Sequence, residues 1–184
     1  MNQANPYAPP VARVADVGTA DSAIEPPFFA VSLFKLSILS VCTFGLYELY
    51  WFYKNWDVIR RREQRVINPI WRALFSVFYS YSYFSRVKEF KPPGVAPSGL
   101  PAGALAVGWG LFSVAWRLPD PYWLVSMVAV VFLLPVQRRV NEINAAAAPG
   151  HSANDRLTPL NWIGIAIGGA ALILAIVALF VPLE

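Results

Sequence analysis

The sequence predicts an all-α integral membrane protein with about four transmembrane helices and one or two amphipathic interfacial helices; five spans is the alternative. Three observations point there. Of 184 residues, 57% are hydrophobic and only 14% charged, where a soluble domain carries about 25% charged. The charges are bunched, so long uncharged runs separate them; a helix needs about 20 apolar residues to cross a hydrocarbon core of ~30 Å. The 15 basic residues also divide unevenly between the segments that join those runs.

Residues 1–27 hold five prolines, three acids and one Arg, with no apolar periodicity. They read as a disordered, Pro-rich tail. A signal peptide is not expected, because the basic n-region and the cleavage site are missing.

Residues 28–91 read as a membrane helix followed by an aromatic-basic interfacial module. The run from Phe28 to Tyr47 contains one charge, Lys35, in twenty residues. A mid-helix Lys costs about 2.5–3.5 kcal/mol, while each Phe, Leu, Ile or Val returns about 0.3–0.6. With eleven such residues in the run, insertion wins narrowly. Lys35 can snorkel to the nearer interface, and it forms with Glu48 the pair of intramembrane charges. After Gly45, Leu46, Leu49, Phe52, Trp56 and Ile59 recur at helical spacing. An amphipathic helix rich in Tyr, Trp and Arg suits the interface plane. Arg60, Arg61, Arg62, Arg65 and Arg72, with Trp51, Trp56 and Trp71, are the candidate lipid- or partner-binding residues. Each Arg near anionic headgroups contributes about 1 kcal/mol. The uncharged stretch from Ala73 to Ser85 has thirteen residues, the length of an interfacial, re-entrant or buried helix rather than a span.

Residues 92–101 read as a Pro/Gly linker and residues 102–137 as a transmembrane hairpin. Its first arm runs from Ala102 to Trp116, its second from Tyr122 to Gln137. Ala102, Ala106 and Gly110 share one face of the first arm, a small-residue spacing that lets helix backbones approach closely. Residues 138–159 read as a cytoplasmic polar loop and residues 160–184 as a C-terminal transmembrane helix. There, 22 residues from Leu160 to Val181 carry no charge. Gly164 and Gly168 form a GxxxG whose preferred use is packing against the chain's own helices, with dimerisation as the alternative.

With these four spans, Lys54, Arg60, Arg61, Arg62, Arg65, Arg72, Arg86, Lys88, Lys91, Arg138, Arg139 and Arg156 fall on one side. The positive-inside rule makes that side cytoplasmic and puts both termini outside. A three-span version, with the first segment flat and the tail inside, satisfies the same arithmetic.

One Cys, Cys42, and one His, His151, leave no internal disulfide and too few ligands for a zinc site. Asp57, Glu63 and Glu89 are interleaved with Arg and Lys at the spacing of helix-surface pairs. No acid, base and nucleophile gather in one place, so neither an enzyme nor a cofactor is expected. The aromatic interleaving of the Arg run argues for lipid over nucleic acid.

The stretch TFGLYELYWFYKNWDVIRRR, followed by INPIWRALFSVFYSYSYFSRV, resembles the bacterial membrane proteins grouped as domain of unknown function 4234. The resemblance covers roughly residues 28–87. It implies a bacterial cytoplasmic (inner) membrane protein and carries no catalytic residue or ligand with it. Within the motif, Thr43 can bond back to a helical carbonyl and Gly45 can take the positive φ that ends a helix. These two residues form the expected hinge. The expected role is that of a small multi-pass structural or interaction protein with a cytoplasmic aromatic-basic surface. Anionic membrane lipid or a protein partner would bind there, and a homo-oligomer would form through the GxxxG helix. A small oligomeric transporter or channel component is the alternative.

Overall fold

In the computed structural model, which describes residues 25–180, every regular element is helical. Residues 28–32 form no regular helix or strand. They lead into α1 (Leu33–Cys42), whose first turn is capped by Ser32 accepting from the Lys35 N–H. A turn at residues 43–45 reverses the chain into α2 (Leu46–Glu63). A short α3 (Pro69–Leu74) starts at the Asn68 cap, with Pro69 in the first turn, where its missing N–H costs nothing. It breaks at Phe75 into α4 (Ser76–Glu89). After residues 90–101, which have no regular helix or strand, α5 (Ala102–Val114) ends in a 3₁₀ turn at Ala115–Arg117. A second 3₁₀ stretch, Tyr122–Val128, continues into α6 (Ala129–Ala147), and α7 (Pro159–Ala178) begins with a Thr158/Asn161 capping box.

Two helical segments are long and apolar enough to cross a membrane, Tyr122–Ala147 and Pro159–Ala178. Four spans are therefore too many. The expected span from Phe28 to Tyr47 is a five-residue strap followed by a ten-residue helix, which at 1.5 Å per residue reaches only about 15 Å. The reason is tertiary: side-chain amides of Asn144 and Asn55 accept the Phe28 and Phe29 N–H groups at 3.2 and 3.1 Å, so this backbone is satisfied without a helix. The expected arm from Ala102 to Trp116 has thirteen α-helical residues, about 20 Å.

The expected cytoplasmic loop at 138–159 is likewise corrected. Helix α6 runs on through Arg138, Arg139 and Asn144 to Ala147, because its inner face keeps an apolar and amide stripe there. Val140, Ile143 and Asn144 are all buried. The proline-rich tail lies almost wholly outside the described residues. In the part described, Glu25 pairs with Arg61 at 2.6 Å, and the Pro27 carbonyl accepts from Arg62 at 2.8 Å.

The core is aromatic. Trp51, Phe52 and Trp56 of α2 pack with Tyr83 and Phe84 of α4, Trp109 of α5 and Phe28 of the strap. Edge-to-face geometry dominates these pairs, the arrangement the ring quadrupoles favour. Small residues set the helix spacing. A methyl on Gly108 would lie 2.3 Å from the Phe132 ring, and Gly110 faces Val77 of α4. None of the described residues of α7 is buried; this helix touches the rest through α1.

The helices order the molecule into two ends. At one end the C-termini of α2, α4 and α6 meet the strap, through Arg62 on Phe28 and Phe90, Arg86 on Glu63, and Asn144 on Phe28. At the other end lie the α1–α2 turn, the α3–α4 break and the α5–α6 connection, which together border one cavity. Exposed Val107, Leu111, Val114, Trp116, Leu74 and Phe78 surround that second end.

Candidate functional site

The aromatic-basic module divides on folding. Trp51 and Trp56 are fully buried and so do not present rings to a headgroup layer, correcting the expectation of an interfacial α2. Amphipathicity marks one face of α2, but α3 and α4 lie over it and make α2 a core helix. Trp71 does stay exposed, stacked on Phe75 at 5.6 Å.

The arginines part in the same way. Arg62 is held between the Phe28 and Phe90 rings, 4.8 Å from each centroid, while its Nη1 donates to the Pro27 carbonyl. Arg72 lies 4.3 Å over the Trp56 ring and 5.1 Å over Tyr79. Both guanidiniums are committed to packing, and burial pulls the Arg62 pKa below its ordinary value, since desolvation disfavours the charged form. Arg60, Arg61 and Arg65 remain outward. Arg60 pairs with Asp57 at 2.7 Å, Arg61 with Asp57 at 3.4 Å, and Arg65 reaches Glu63 at 3.6 Å.

These three arginines line one shallow hollow of about 400 Å³ with Gln64, Val66 and Ile67. The hollow forms because α2 ends on Gln64 in the left-handed conformation, φ 48°, which turns the chain sharply before Asn68 caps α3. Val66 protrudes fully into solvent beside the arginines. Three guanidiniums around an exposed apolar tip suit a surface where anionic groups overlie hydrocarbon.

The hinge residues are on the α1–α2 turn. Thr43 Oγ1 donates to the Leu39 carbonyl at 2.6 Å and accepts from the Tyr47 N–H at 3.0 Å, so it serves both helices. Gly45 has φ +83°, a region where a side chain is strained. Of the small residues, Ala106 and Gly110 are buried on the α4 side of α5. Gly164 and Gly168 face the end of α1: a Cβ on Gly168 would fall 1.7 Å from the Cys42 carbonyl oxygen.

Lys35 and Glu48 are buried and apart in role. Lys35 Nζ donates to Asn154 Oδ1 and to the Arg156 carbonyl, both at 2.8 Å, tying α1 to the 148–158 loop. Asn154 itself donates to the Ala30 carbonyl at 3.1 Å. Glu48 accepts from the Trp109 indole N–H at 2.7 Å.

Sequence reasoning missed a second set of residues. Gln137, Asn141 and Asn144, one face of α6, hold the strap with Asn55 of α2. Gln137 donates to the Phe29 and Val31 carbonyls, Asn141 donates to Val31, and Asn144 both donates to and accepts from Phe28. The available signal was amides at i, i+4 and i+7 inside an otherwise apolar helix face.

The chain matches no family model, and no match was found among curated proteins or solved structures.

Proposed function

We propose that this chain is a multi-pass protein of the bacterial cytoplasmic membrane whose basic end binds anionic phospholipid headgroups. The observation that carries the reading is the hollow formed by Arg60, Arg61 and Arg65 beside the protruding Val66. Arginine is suited to phosphate through its planar fork of donors. The apolar side chains exposed around the opposite end would lie in hydrocarbon. In this reading α7 and the segment Tyr122–Ala147 cross the membrane, and α5, the α1–α2 pair and α4 pack beside them. The strap, the 90–101 connection and the 148–158 loop then share the cytoplasmic side with the arginines.

The test is native mass spectrometry of the detergent-purified full chain titrated with phosphatidylglycerol and, separately, phosphatidylcholine. Wild type should retain phosphatidylglycerol preferentially. The variant R60E/R61E/R65E should lose about a hundredfold in apparent affinity, from about 1 kcal/mol for each Arg. Equal retention by wild type and variant would remove the proposal. An R62E variant is the wrong test, because Arg62 is part of the core at Phe28 and Phe90.

A further inference from the structure

The cavity at the opposite end is the most unusual feature of the molecule. It measures about 480 Å³ and lies where the α1–α2 turn, the α3–α4 break and the α5–α6 connection converge. That is within the range of small-molecule sites. Its wall includes the carboxylate of Glu48, a residue 5% exposed overall. A buried carboxylate is costly unless it is paired. Among the described residues no Lys or Arg forms an ion pair with Glu48. The protein gives it a neutral donor, the Trp109 indole. The Ser40 hydroxyl stands beside the same carboxylate. The carboxylate thus has a cavity in front of it and no countercharge.

The other polar groups of the wall define what fits. Arg117, exposed and 5.3 Å from the Trp116 ring centroid, borders the cavity, as do Ser76, Ser113 and Ser126. The remaining wall is largely apolar, Val77 among it. The cavity therefore offers one buried carboxyl, several serine hydroxyls and one accessible cation in an otherwise apolar surround.

We propose that this cavity binds a phosphoethanolamine group, with the primary ammonium on Glu48 and the phosphate at Arg117. A primary ammonium donates three hydrogen bonds and satisfies both the carboxylate and a serine oxygen; a trimethylammonium group donates none. The phosphate takes the guanidinium as a charge-assisted partner. The group can come as the headgroup of phosphatidylethanolamine or as free phosphoethanolamine. The apolar wall favours the lipid, whose glycerol and first methylenes would continue along it.

The purified full chain in detergent is titrated with phosphatidylethanolamine, phosphatidylcholine and free phosphoethanolamine, and followed by tryptophan fluorescence and native mass spectrometry. Wild type should bind phosphatidylethanolamine at least about tenfold more tightly than phosphatidylcholine, one hydrogen-bonded charge pair's worth. Glu48→Gln keeps an acceptor for Trp109 and should erase that preference. Arg117→Gln should weaken both lipids alike and leave the preference in place. Binding of free phosphoethanolamine as tight as that of the lipid supports the site and assigns it to a soluble ligand. Equal binding of the two lipids by wild type overturns the proposal without recourse to any variant, and so does an unaltered preference in Glu48→Gln. R60E/R61E/R65E should leave the preference untouched, so failure here and failure of the anionic-lipid reading are separate results.

Discussion

Trp51 Nε1 donates to Gln137 Oε1 at 2.6 Å, joining two fully buried residues of α2 and α6 that are 86 positions apart. The same amide then donates to the Phe29 and Val31 carbonyls and to Asn141. One side chain thus sets the distance between α2, α6 and the strap, in a core whose other large members are aromatic or aliphatic.

Gln137→Leu should orphan the Trp51 N–H and the Phe29 carbonyl, while the Val31 carbonyl keeps Asn141. Each buried unpaired group costs about 1–3 kcal/mol, so a loss of about 3 kcal/mol and a melting temperature lower by roughly 10 °C follow. Trp51→Phe should cost less. The double variant should cost clearly less than the sum, since both partners are then apolar. Thermal unfolding in detergent measures all three, and additive losses would show that the bond does not couple the helices.

Gly164 and Gly168 belong to one GxxxG but meet different surroundings. A Cβ on Gly168 would sit 1.7 Å from the Cys42 carbonyl, whereas one on Gly164 meets only Thr43 Cγ2 at 3.9 Å. Gly168→Ala should therefore push α7 off α1 and lower the melting temperature by several degrees, roughly 2–4 °C for each kcal/mol. Gly164→Ala should be neutral or slightly stabilising, because Ala is the better helix former. Equal effects would mean that α7 packs elsewhere.

Lys35 holds the loop between α6 and α7. Lys35→Met removes both donors to Asn154 and Arg156 while keeping the length and apolar stem. Local opening of the 148–158 loop should then become easier, and limited trypsinolysis after Arg156 should accelerate about tenfold, the equivalent of 1.4 kcal/mol. Unchanged cleavage would free Lys35 for a role other than tethering.

The side of the membrane is tested with single cysteines at positions 96 and 120 in a Cys42→Ser background. The Ala96 carbonyl accepts from Arg139 at 2.8 Å, which places the 90–101 connection at the basic end. Asp120 lies in the α5–α6 connection at the opposite end. An impermeant thiol reagent should label Asp120→Cys in intact cells and Ala96→Cys only after the inner membrane is opened. Labelling of Ala96→Cys in intact cells would invert or dissolve the proposed topology. Cys42 is buried, so its replacement by Ser keeps the background silent.

The helical class was legible in the sequence because it follows from local patterns. Uncharged runs set the two longest apolar segments, and Thr43 and Gly45 mark the first chain reversal through their own backbone chemistry. Three things were decided only by tertiary contact. Residues 28–32 are as apolar as a helix, but Asn55, Gln137, Asn141 and Asn144 offer their backbone partners from positions 26 to 116 residues away. Helix α2 has the composition of an interfacial helix, yet Trp51 and Trp56 are covered by α4. Arg62 and Arg65 are alike as letters in a basic run, but one is clamped between rings and the other lies outward beside Glu63. An apolar stripe states that a face will be buried. Whether lipid or another helix buries it depends on which residues distant in sequence arrive there, and that is a property of the packed chain.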